Sequence, residues 1–269
     1  GNKAIHHTAG IVDVVCDLSL PESKERVRDL GDIDYVFNLA GFTDQRMPHP
    51  NPYELIRANV VTLSNLTEGL NWNVIKSALH VGTAAEYGTQ EVPFCEDKAV
   101  EPTNAYGWSK AAASMYAVMM TRGGFAQWCV VRQFTGYGPG HTAGFVYDVT
   151  RALKRGDHFV VNPASVTRDV IFVGDTVEGM VRAALAKDAR GEIVNLCSGK
   201  EITIGEIATL IHQIVGTGAL RLVDREPRKG DFLRSVGDTK KMERVLGWRP
   251  STSLEEGLRI TIPTIDTTP

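Results

Sequence analysis

Tyr106 and Lys110 are the two residues of this sequence whose types and spacing are best suited to acid–base chemistry. Side chains four positions apart on a helix lie on one face, with their Cβ atoms about 6 Å apart. A lysine ammonium beside a phenol favours the phenolate and lowers a pKa that is ordinarily about 10. We therefore predict that Tyr106 exchanges protons near neutral pH. The same spacing taken alone also fits a solvated helix face, so the surrounding segments decide its meaning.

Two further segments place small or hydroxyl-bearing residues where predicted strands end. The run Tyr35–Leu39 has the character of a buried strand, and Ala40-Gly41 follows it, where a flat ring can approach the backbone. Thr83 puts a hydroxyl just beyond the predicted strand Val74–Val81. In open α/β sheets, ligands bind beyond the carboxyl ends of the strands. We therefore expect these small residues, the threonine and the phenol to face one site.

Short β-rich runs alternate with longer helical stretches in the first half of the chain. Helices are predicted over Pro52–Leu70 and Asn104–Arg122, and a further strand over Ala126–Phe134. The apolar run Ile11–Cys16 precedes a first helix, which the Ser-Leu-Pro-Glu sequence that follows is expected to start. This alternation indicates an α/β fold with a Rossmann-like, doubly wound parallel sheet.

The composition is that of an ordinary globular protein. The 269 residues include 29 Lys and Arg and 32 Asp and Glu, a net charge of −3, which gives no pull toward nucleic acid. No run of about 18 apolar residues occurs, so we expect no membrane span, and the N-terminus lacks the apolar region of a signal peptide. The four cysteines are far apart, which fits a thiol-reducing cytoplasm and not a metal cluster. We therefore predict a cytoplasmic protein without a metal site.

One expected segment does not occur. A dinucleotide-binding fold ordinarily opens with a strand, a G-x-G-x-x-G segment and a helix. That fingerprint is not found in this sequence, which enters just before what would be the third strand. Either the first strand–helix–strand unit is absent from the given sequence or its pyrophosphate-binding loop has been lost, and the sequence leaves both open.

Segments along the chain match, in order, the motifs of one enzyme family. They are Asp17, Phe37-Asn-Leu-Ala-Gly41, Asn59-Val60, Gly82-Thr-Ala-Ala-Glu-Tyr-Gly88, Tyr106 with Lys110, Arg132-Gln-Phe-Thr-Gly-Tyr-Gly-Pro139, Arg168-Asp-Val-Ile-Phe-Val-Gly-Asp175, Arg228-Lys-Gly-Asp231 and Leu246-Gly-Trp-Arg-Pro250. On these segments the chain resembles the extended short-chain dehydrogenases/reductases. Among them it is most similar to the nucleotide-sugar epimerases and dehydratases typified by UDP-galactose 4-epimerase.

The resemblance implies NAD or NADP as cofactor, a nucleotide-diphosphate sugar as substrate, and a role for each matching residue. Catalysis is expected from Thr83, Tyr106 and Lys110; cofactor binding from Asp17, Leu39, Ala40, Gly41, Asn59, Tyr106 and Lys110; substrate binding from Thr83, Thr135, Arg168, Arg228 and Asp231. In the implied reaction, the tyrosine takes a proton from a sugar hydroxyl while a hydride leaves carbon 4 for the nicotinamide. Guanidinium groups suit phosphate oxygens, and a carboxylate suits a vicinal diol, in agreement with the substrate roles.

The resemblance also implies a domain organisation and an assembly. Residues 1–138, with part of 160–200, are expected to bind the cofactor, and residues 139–269 mainly to form a smaller α/β lobe that binds the substrate. A homodimer is expected, in which the helices Pro52–Leu70 and Asn104–Arg122 of two copies form a four-helix bundle. The faces of these helices can equally pack on their own sheet.

The residues after Thr83 separate the reactions that the family performs. The 4,6-dehydratases carry an Asp–Glu pair or a single Glu shortly after the catalytic threonine, where this chain has Ala84 and Ala85. Glu86 comes one position later, and we expect its side chain to point elsewhere, which disfavours a dehydratase. Thr135 stands where many relatives carry asparagine, which weakens the substrate contact implied there. A 4-epimerase is preferred, and a 4-ketoreductase, which shares the catalytic trio, stays open.

Two interpretations outside this chemistry also stay open. The missing glycine fingerprint suits a non-catalytic nucleotide-binding protein on the same fold, because the backbone N–H groups that anchor pyrophosphate are lacking. A reductase of a non-nucleotide carbonyl compound would keep the same trio. The segment Arg228-Lys-Gly-Asp231 argues against that last interpretation.

Overall fold

The structure is a computed structural model that describes residues 10–225 and 233–267. Its strands are β1 (Tyr35–Asn38), β2 (Ser77–Thr83), β3 (Trp128–Gln133), β4 (Thr135–Tyr137), β5 (His158–Val161), β6 (Thr167–Arg168), β7 (Val170–Phe172), β8 (Ile193–Leu196), β9 (Ile202–Thr203) and β10 (Ala219–Leu222). Its helices are α1 (Ser23–Arg28), α2 (Pro52–Ile56), α3 (Thr62–Gly69), α4 (Ala105–Arg122), α5 (Phe145–Lys154), α6 (Val173–Leu185), α7 (Ile204–Val215), α8 (Lys240–Leu246) and α9 (Leu254–Thr261).

The central sheet has the strand order β1-β2-β3-β8, and every neighbouring pair is parallel. Successive side chains of a strand point to opposite faces. Leu79 and Val131 therefore pack with α6 and α8 on one face, while Ala78 and Val130 pack with α3 and α4 on the other. Helices thus cover both faces, and the predicted α/β fold with a parallel sheet is confirmed.

The N-terminal segment differs from the prediction. The apolar run Ile11–Cys16 pairs with no strand in the described part of the chain, and Val12 is 80% exposed. Helix α1 begins at Ser23 and not at the Ser-Leu-Pro-Glu sequence. The reason is local, because the Ser19 hydroxyl donates to the Asp17 carboxylate at 2.7 Å instead of capping a helix. Strand β1 is an edge strand of the described sheet, and its Phe37 is 40% exposed.

The two long predicted helices are confirmed, with one irregularity. A π-helical turn, Arg57–Val61, joins α2 to α3, so the predicted helix Pro52–Leu70 carries a bulge at its centre. Such bulges occur often at functional sites. Helix α4 begins where Asn104 accepts a hydrogen bond from the Gly107 backbone N–H at 2.7 Å, as expected of an N-cap. No helix in the two described ranges is both long and apolar enough to cross a membrane.

The second half of the chain builds a core of its own. Tyr137, Val149, Ile207 and Leu258 belong to one buried cluster that unites α5, α7 and α9 with short two-stranded sheets. Helix α6 and strand β8 return to the central sheet between these elements. The chain therefore crosses between the two cores more than once, and the loops at these crossings lie beside the carboxyl ends of the central strands.

Candidate active site

Three adjoining cavities follow the carboxyl ends of the central strands. We call them the Asp17 cavity, about 360 Å³, the central cavity, about 280 Å³, and the Arg168 cavity, about 280 Å³. The first two share Ala40 and Gly41, and the last two share Thr83. They therefore form one continuous trough across the sheet edge, the place where ligands bind in open α/β sheets.

The central cavity brings the predicted trio together. Thr83 ends β2, while Tyr106 and Lys110 lie one turn apart near the start of α4, and all three line this cavity. The Tyr106 phenol lies close enough to the side chain of Thr83 for that side chain to favour the phenolate. The Thr83 hydroxyl oxygen accepts the Ala85 backbone N–H at 3.3 Å, and its own hydrogen stays available as a donor. A phenol and a hydroxyl thus face the same space.

Lys110 is buried, with 6% of its surface exposed. In the described part of the chain no residue forms an ion pair or hydrogen bond with its ammonium, which opens on the central cavity. Burial lowers the pKa of Lys110 to about 8, and the negative charge of Glu86 opposes that shift. The group therefore carries a proton that it can release close to physiological pH.

The predicted acidification of Tyr106 is wrong for the chain by itself. Burial raises the pKa of Tyr106, the nearby Thr83 side chain opposes the rise, and the Glu86 charge adds to it. Removal from water disfavours the phenolate more than the neighbouring groups favour it. Tyr106 and Lys110 lie one turn apart on α4, as predicted. Both are desolvated there, and no local sequence pattern indicates that desolvation.

Asn59 and Gly41 shape the floor of the central cavity. The Asn59 side chain accepts the Phe42 backbone N–H at 3.0 Å and donates to the Ser109 hydroxyl at 2.8 Å. A Cβ atom at position 41 would lie 2.6 Å from Asn59 Oδ1 and 3.7 Å from Lys110 Nζ. The absence of a Cβ atom at Gly41 therefore leaves room for the Asn59 side chain beside the backbone at the central cavity.

Asn38, the last residue of β1, holds the backbone at Ala40-Gly41. Asn38 accepts the Ala40 backbone N–H at 3.2 Å and pairs with Nδ1 of His80 at 3.1 Å. Leu39, another predicted cofactor residue, lines the central cavity and is largely exposed. The Asn38–His80 pair was not predicted, although the buried position of both residues in adjacent strands is a usable signal.

At the Asp17 cavity, polar groups form a chain. Arg57 donates to the Ser19 hydroxyl at 2.9 Å, and that hydroxyl donates to Asp17. The hydrogen bonds from Ser19 hold the pKa of Asp17 below its usual value, so its carboxylate is ionised at neutral pH. An ionised acceptor and a guanidinium thus face a space large enough for a nucleotide.

At the other end, the Arg168 cavity is lined by Thr135, Arg168, Gln45 and Ser235. Arg168, in β6, donates to the Thr167 carbonyl at 2.7 Å. The two other predicted substrate residues, Arg228 and Asp231, lie outside the described residues. Sequence reasoning missed Gln45, Ser235, Gln133 and Phe134 as lining residues, and of these only the last two lie at the end of a predicted strand.

A family model described as GDP-mannose 4,6 dehydratase matches residues 3–261. The chain belongs to this family. The resemblance to the nucleotide-sugar epimerases and dehydratases is thereby confirmed, as is the prediction that the protein is an enzyme.

Individual relatives agree with the family assignment. The UDP-glucose 4-epimerase of Mycolicibacterium smegmatis is 29% identical over 265 residues, which cover 94% of this chain and 80% of the relative. A UDP-glucose 4-epimerase of Thermotoga maritima, solved with UDP-glucose, is 27% identical, with a TM-score of 0.84 and coverage of 93% and 82%. MoeE5, solved with UDP-glucuronic acid and NAD, is 25% identical, with a TM-score of 0.85 and coverage of 97% and 87%. A nicotinamide dinucleotide is thus the cofactor type of this family.

The residues of the trough suit such a cofactor. Lys110 presents N–H donors that have no partner among residues 10–225 and 233–267 to the central cavity, where the diol of a ribose can accept them, and Gly41 leaves room for a flat ring. The polar groups of the Asp17 cavity stand at the far end. The donor set and the open glycine therefore fit a nicotinamide dinucleotide.

The residues at positions 84–86 do not fit the dehydratase activity for which the family model is named. Ala84 and Ala85 line the Arg168 cavity with methyl groups. Glu86 is fully buried and points away from the cavity. Its carboxylate pairs instead with Arg132 at 2.8 Å in the interior. The prediction that Glu86 points elsewhere is confirmed. Its Thr-x-x-Glu spacing from Thr83, a capping box, was a usable signal for that orientation.

Proposed function

We propose that the protein is an NAD(P)-dependent enzyme acting at carbon 4 of a nucleotide-diphosphate sugar, with 4-epimerase-type chemistry. The observation that carries the proposal is that Thr83, Tyr106 and the buried ammonium of Lys110 converge on the central cavity. Relatives named UDP-glucose 4-epimerase and solved with UDP-glucose support this substrate class.

In the proposed reaction, each residue handles one proton or one contact. Tyr106, in its phenolate form, takes the proton of the 4-hydroxyl, and Thr83 holds the same oxygen by a hydrogen bond. A bound nicotinamide ring would supply the hydride chemistry at carbon 4, so that a 4-keto sugar could form and be reduced from its opposite face. Tyr106 would then return the proton to the 4-oxygen. Lys110 orients the cofactor ribose, and its lowered pKa allows its ammonium to release and take up a proton during the reaction.

The remaining roles follow the trough. We assign the cofactor to residues 1–138 with part of 160–200, including Asp17, Leu39, Ala40, Gly41 and Asn59. We assign the nucleotide sugar mainly to residues 139–269, with Arg168, Arg228 and Asp231 toward its diphosphate and ribose, and Thr135 of the first part joins them. Opposite ends of one continuous trough support this division, because the carbon to be oxidised must meet the nicotinamide in the middle.

Elimination of water is not part of the proposal. A 4,6-dehydratase needs a carboxylate beside the catalytic threonine, and the positions that face the cavity there carry only methyl groups. A 4-ketoreductase remains the second candidate because its trio is identical. The two differ in whether the cofactor is recycled within one turnover.

A screen of UDP-, GDP- and dTDP-sugars with NAD or NADP tests the function, with Tyr106→Phe beside the native protein. We expect a 4-epimer to form without net change in the cofactor, and the variant to lose about 10²–10⁴-fold in turnover while it still binds both ligands. Tyr35→Phe, at a half-exposed position on β1, is the matched control and should be unaffected.

Each other outcome selects a different function. Stoichiometric consumption of NADH or NADPH with a 4-keto sugar would identify a ketoreductase. Failure to bind any nicotinamide dinucleotide would favour a non-catalytic protein, and cofactor binding without nucleotide-sugar binding would favour another carbonyl substrate. Normal turnover by the phenylalanine variant would refute the role of Tyr106.

We further propose the homodimer through α2, α3 and α4. Helix α4 exposes Trp108, Met115 and Met119 on one side, spaced as the outer face of a helix requires. Trp108 is 58% exposed, unusual for a tryptophan on a free surface. An apolar stripe on the helix that carries Tyr106 and Lys110 supports pairing of two copies along it.

A further inference from the structure

Glu86 is a buried carboxylate to which the proposed reaction gives no task. None of its surface is exposed. Its Oε1 atom accepts the Thr83 backbone N–H at 2.9 Å and the Ser114 hydroxyl at 2.9 Å, and its Oε2 atom accepts Nε of Arg132 at 2.8 Å. One carboxylate therefore ties together the end of β2, the middle of α4 and β3, three of the elements beside the central cavity.

The contact with Thr83 is specific. Glu86 and Thr83 cap each other across the short 3-10 turn Ala84–Glu86, which fixes the backbone from which the Thr83 hydroxyl is presented. The space around the carboxylate is closed, because a Cβ atom on Gly82 would lie 2.5 Å from Glu86 Oε1. Three hydrogen bonds hold the Glu86 carboxylate in this orientation, away from the Arg168 cavity.

We propose that Glu86 is a positioning residue that fixes Thr83 at the central cavity and supplies the negative charge beneath Tyr106 and Lys110. The catalytic part of this inference rests on the proposed function. The charge of Glu86 raises the pKa of both residues, so it favours the protonated phenol and the ammonium together. The other titratable group facing Lys110 in the described ranges is His80 on β2, whose own pKa burial lowers far enough to keep it neutral.

The simpler explanation is that Glu86 is only the counter-ion of Arg132. That explanation predicts that removal of both charges costs nothing at the active site, since a buried ion pair can often be replaced by apolar groups. The two explanations therefore differ in a double variant that has lost the pair. They differ also in the titration of Lys110, which a purely structural pair would leave unchanged.

Three variants separate these explanations: Glu86→Gln, Glu86→Gln combined with Arg132→Met, and Glu96→Gln. The last is the matched control, because Glu96 is a largely buried carboxylate that accepts the Asn195 backbone N–H at 2.7 Å and does not influence Tyr106 or Lys110. For each protein the pH dependence of reductive methylation of Lys110 is followed by peptide mass spectrometry, without cofactor. Thermal unfolding and turnover are measured beside it.

We expect Glu86→Gln to be destabilised and to methylate Lys110 with a midpoint at lower pH than the native protein. The double variant should recover most of the thermal stability and keep the lowered midpoint, and the control should titrate as the native protein does. In both Glu86 variants turnover should fall, with kcat affected more than KM.

A native Lys110 midpoint in the double variant would overturn the inference and leave Glu86 a counter-ion of Arg132. The same conclusion follows if the control shifts the midpoint as much as Glu86→Gln. The methylation assay needs no substrate, so it still tests the placement of Glu86 if no nucleotide sugar is converted. In that case the proposed function fails and the electrostatic part of the inference stands or falls by itself.

Discussion

Two buried cations lie near the same carboxylate, and the protein treats them in opposite ways. Arg132, 1% exposed, pairs with Glu86 at 2.8 Å and stacks over the Tyr87 ring at 4.4 Å. Lys110, 6% exposed, has no ion-pair or hydrogen-bond partner among the described residues and faces a cavity. Burial disfavours both charges, but the pKa of Arg132 is raised by Glu86 and Tyr87, while that of Lys110 falls to about 8.

The difference separates a structural charge from a functional one. A guanidinium presents a rigid fork of donors that suits a fixed carboxylate, whereas an ammonium changes its protonation readily when buried. A buried charge without a partner costs stability, so its position is explained by a ligand that it serves. The comparison therefore supports a framework role for Arg132 and agrees with the role that we propose for Lys110.

Loss of Arg132 should have the largest effect on stability. Arg132→Met leaves the carboxylate of Glu86 buried without its cation, and we expect the free energy of unfolding to fall by about 3–5 kcal/mol. Urea unfolding at pH 7 measures the change. Arg182→Met is the matched control, since Arg182 pairs with Glu178 at 2.6 Å on the exposed side of α6 and should cost less than about 0.5 kcal/mol. Equal losses in the two variants would remove the distinction between a buried and a surface pair.

Loss of the Lys110 ammonium should raise the free energy of unfolding, whereas loss of Arg132 should lower it. Lys110→Met removes a buried ammonium that has no ion-pair partner in the described part of the chain, and it keeps the length of the side chain. We therefore expect the free energy of unfolding to rise by about 1–3 kcal/mol at pH 7. Affinity for NAD or NADP should fall in the same variant. Urea unfolding and cofactor titration check the two effects. A destabilised Lys110→Met would mean that the ammonium is a structural element like Arg132.

The sequence predicted the elements of this comparison better than their electrostatics. Strand and helix patterns located β1, β2, β3 and α4 within a few residues, because apolar periodicity and the Asn104 cap are local signals. The convergence of Thr83, Tyr106 and Lys110 followed from their positions at strand and helix ends. The pKa of Tyr106 did not, because it depends on burial by distant parts of the chain.

Two other differences between the predictions and the structure also arise from contacts outside the local segment. The Ser-Leu-Pro-Glu sequence carries every local mark of a helix start, but the Ser19 hydroxyl finds Asp17 and Arg57 instead. The sequence identifies Arg132 only as part of a motif, because its partner Glu86 is 46 positions away along the chain. Such pairings are set by the packing of β3 against the turn after β2, which no pattern within either segment encodes.

The smallest expected effect is the pH dependence of the Lys110 contribution. The folded pKa is about 8 and the ordinary value is 10.5, so between these values the unfolded chain binds more protons than the native state. Stability that depends on Lys110 therefore rises with pH across this window. The advantage of Lys110→Met over the native protein should be full below pH 8 and disappear toward pH 10.5. Urea unfolding of both proteins at pH 7, 9 and about 10.5 measures the difference, in which other titrating groups cancel. A constant difference would show that Lys110 keeps its proton throughout and is held by a partner, which would make it the same kind of cation as Arg132.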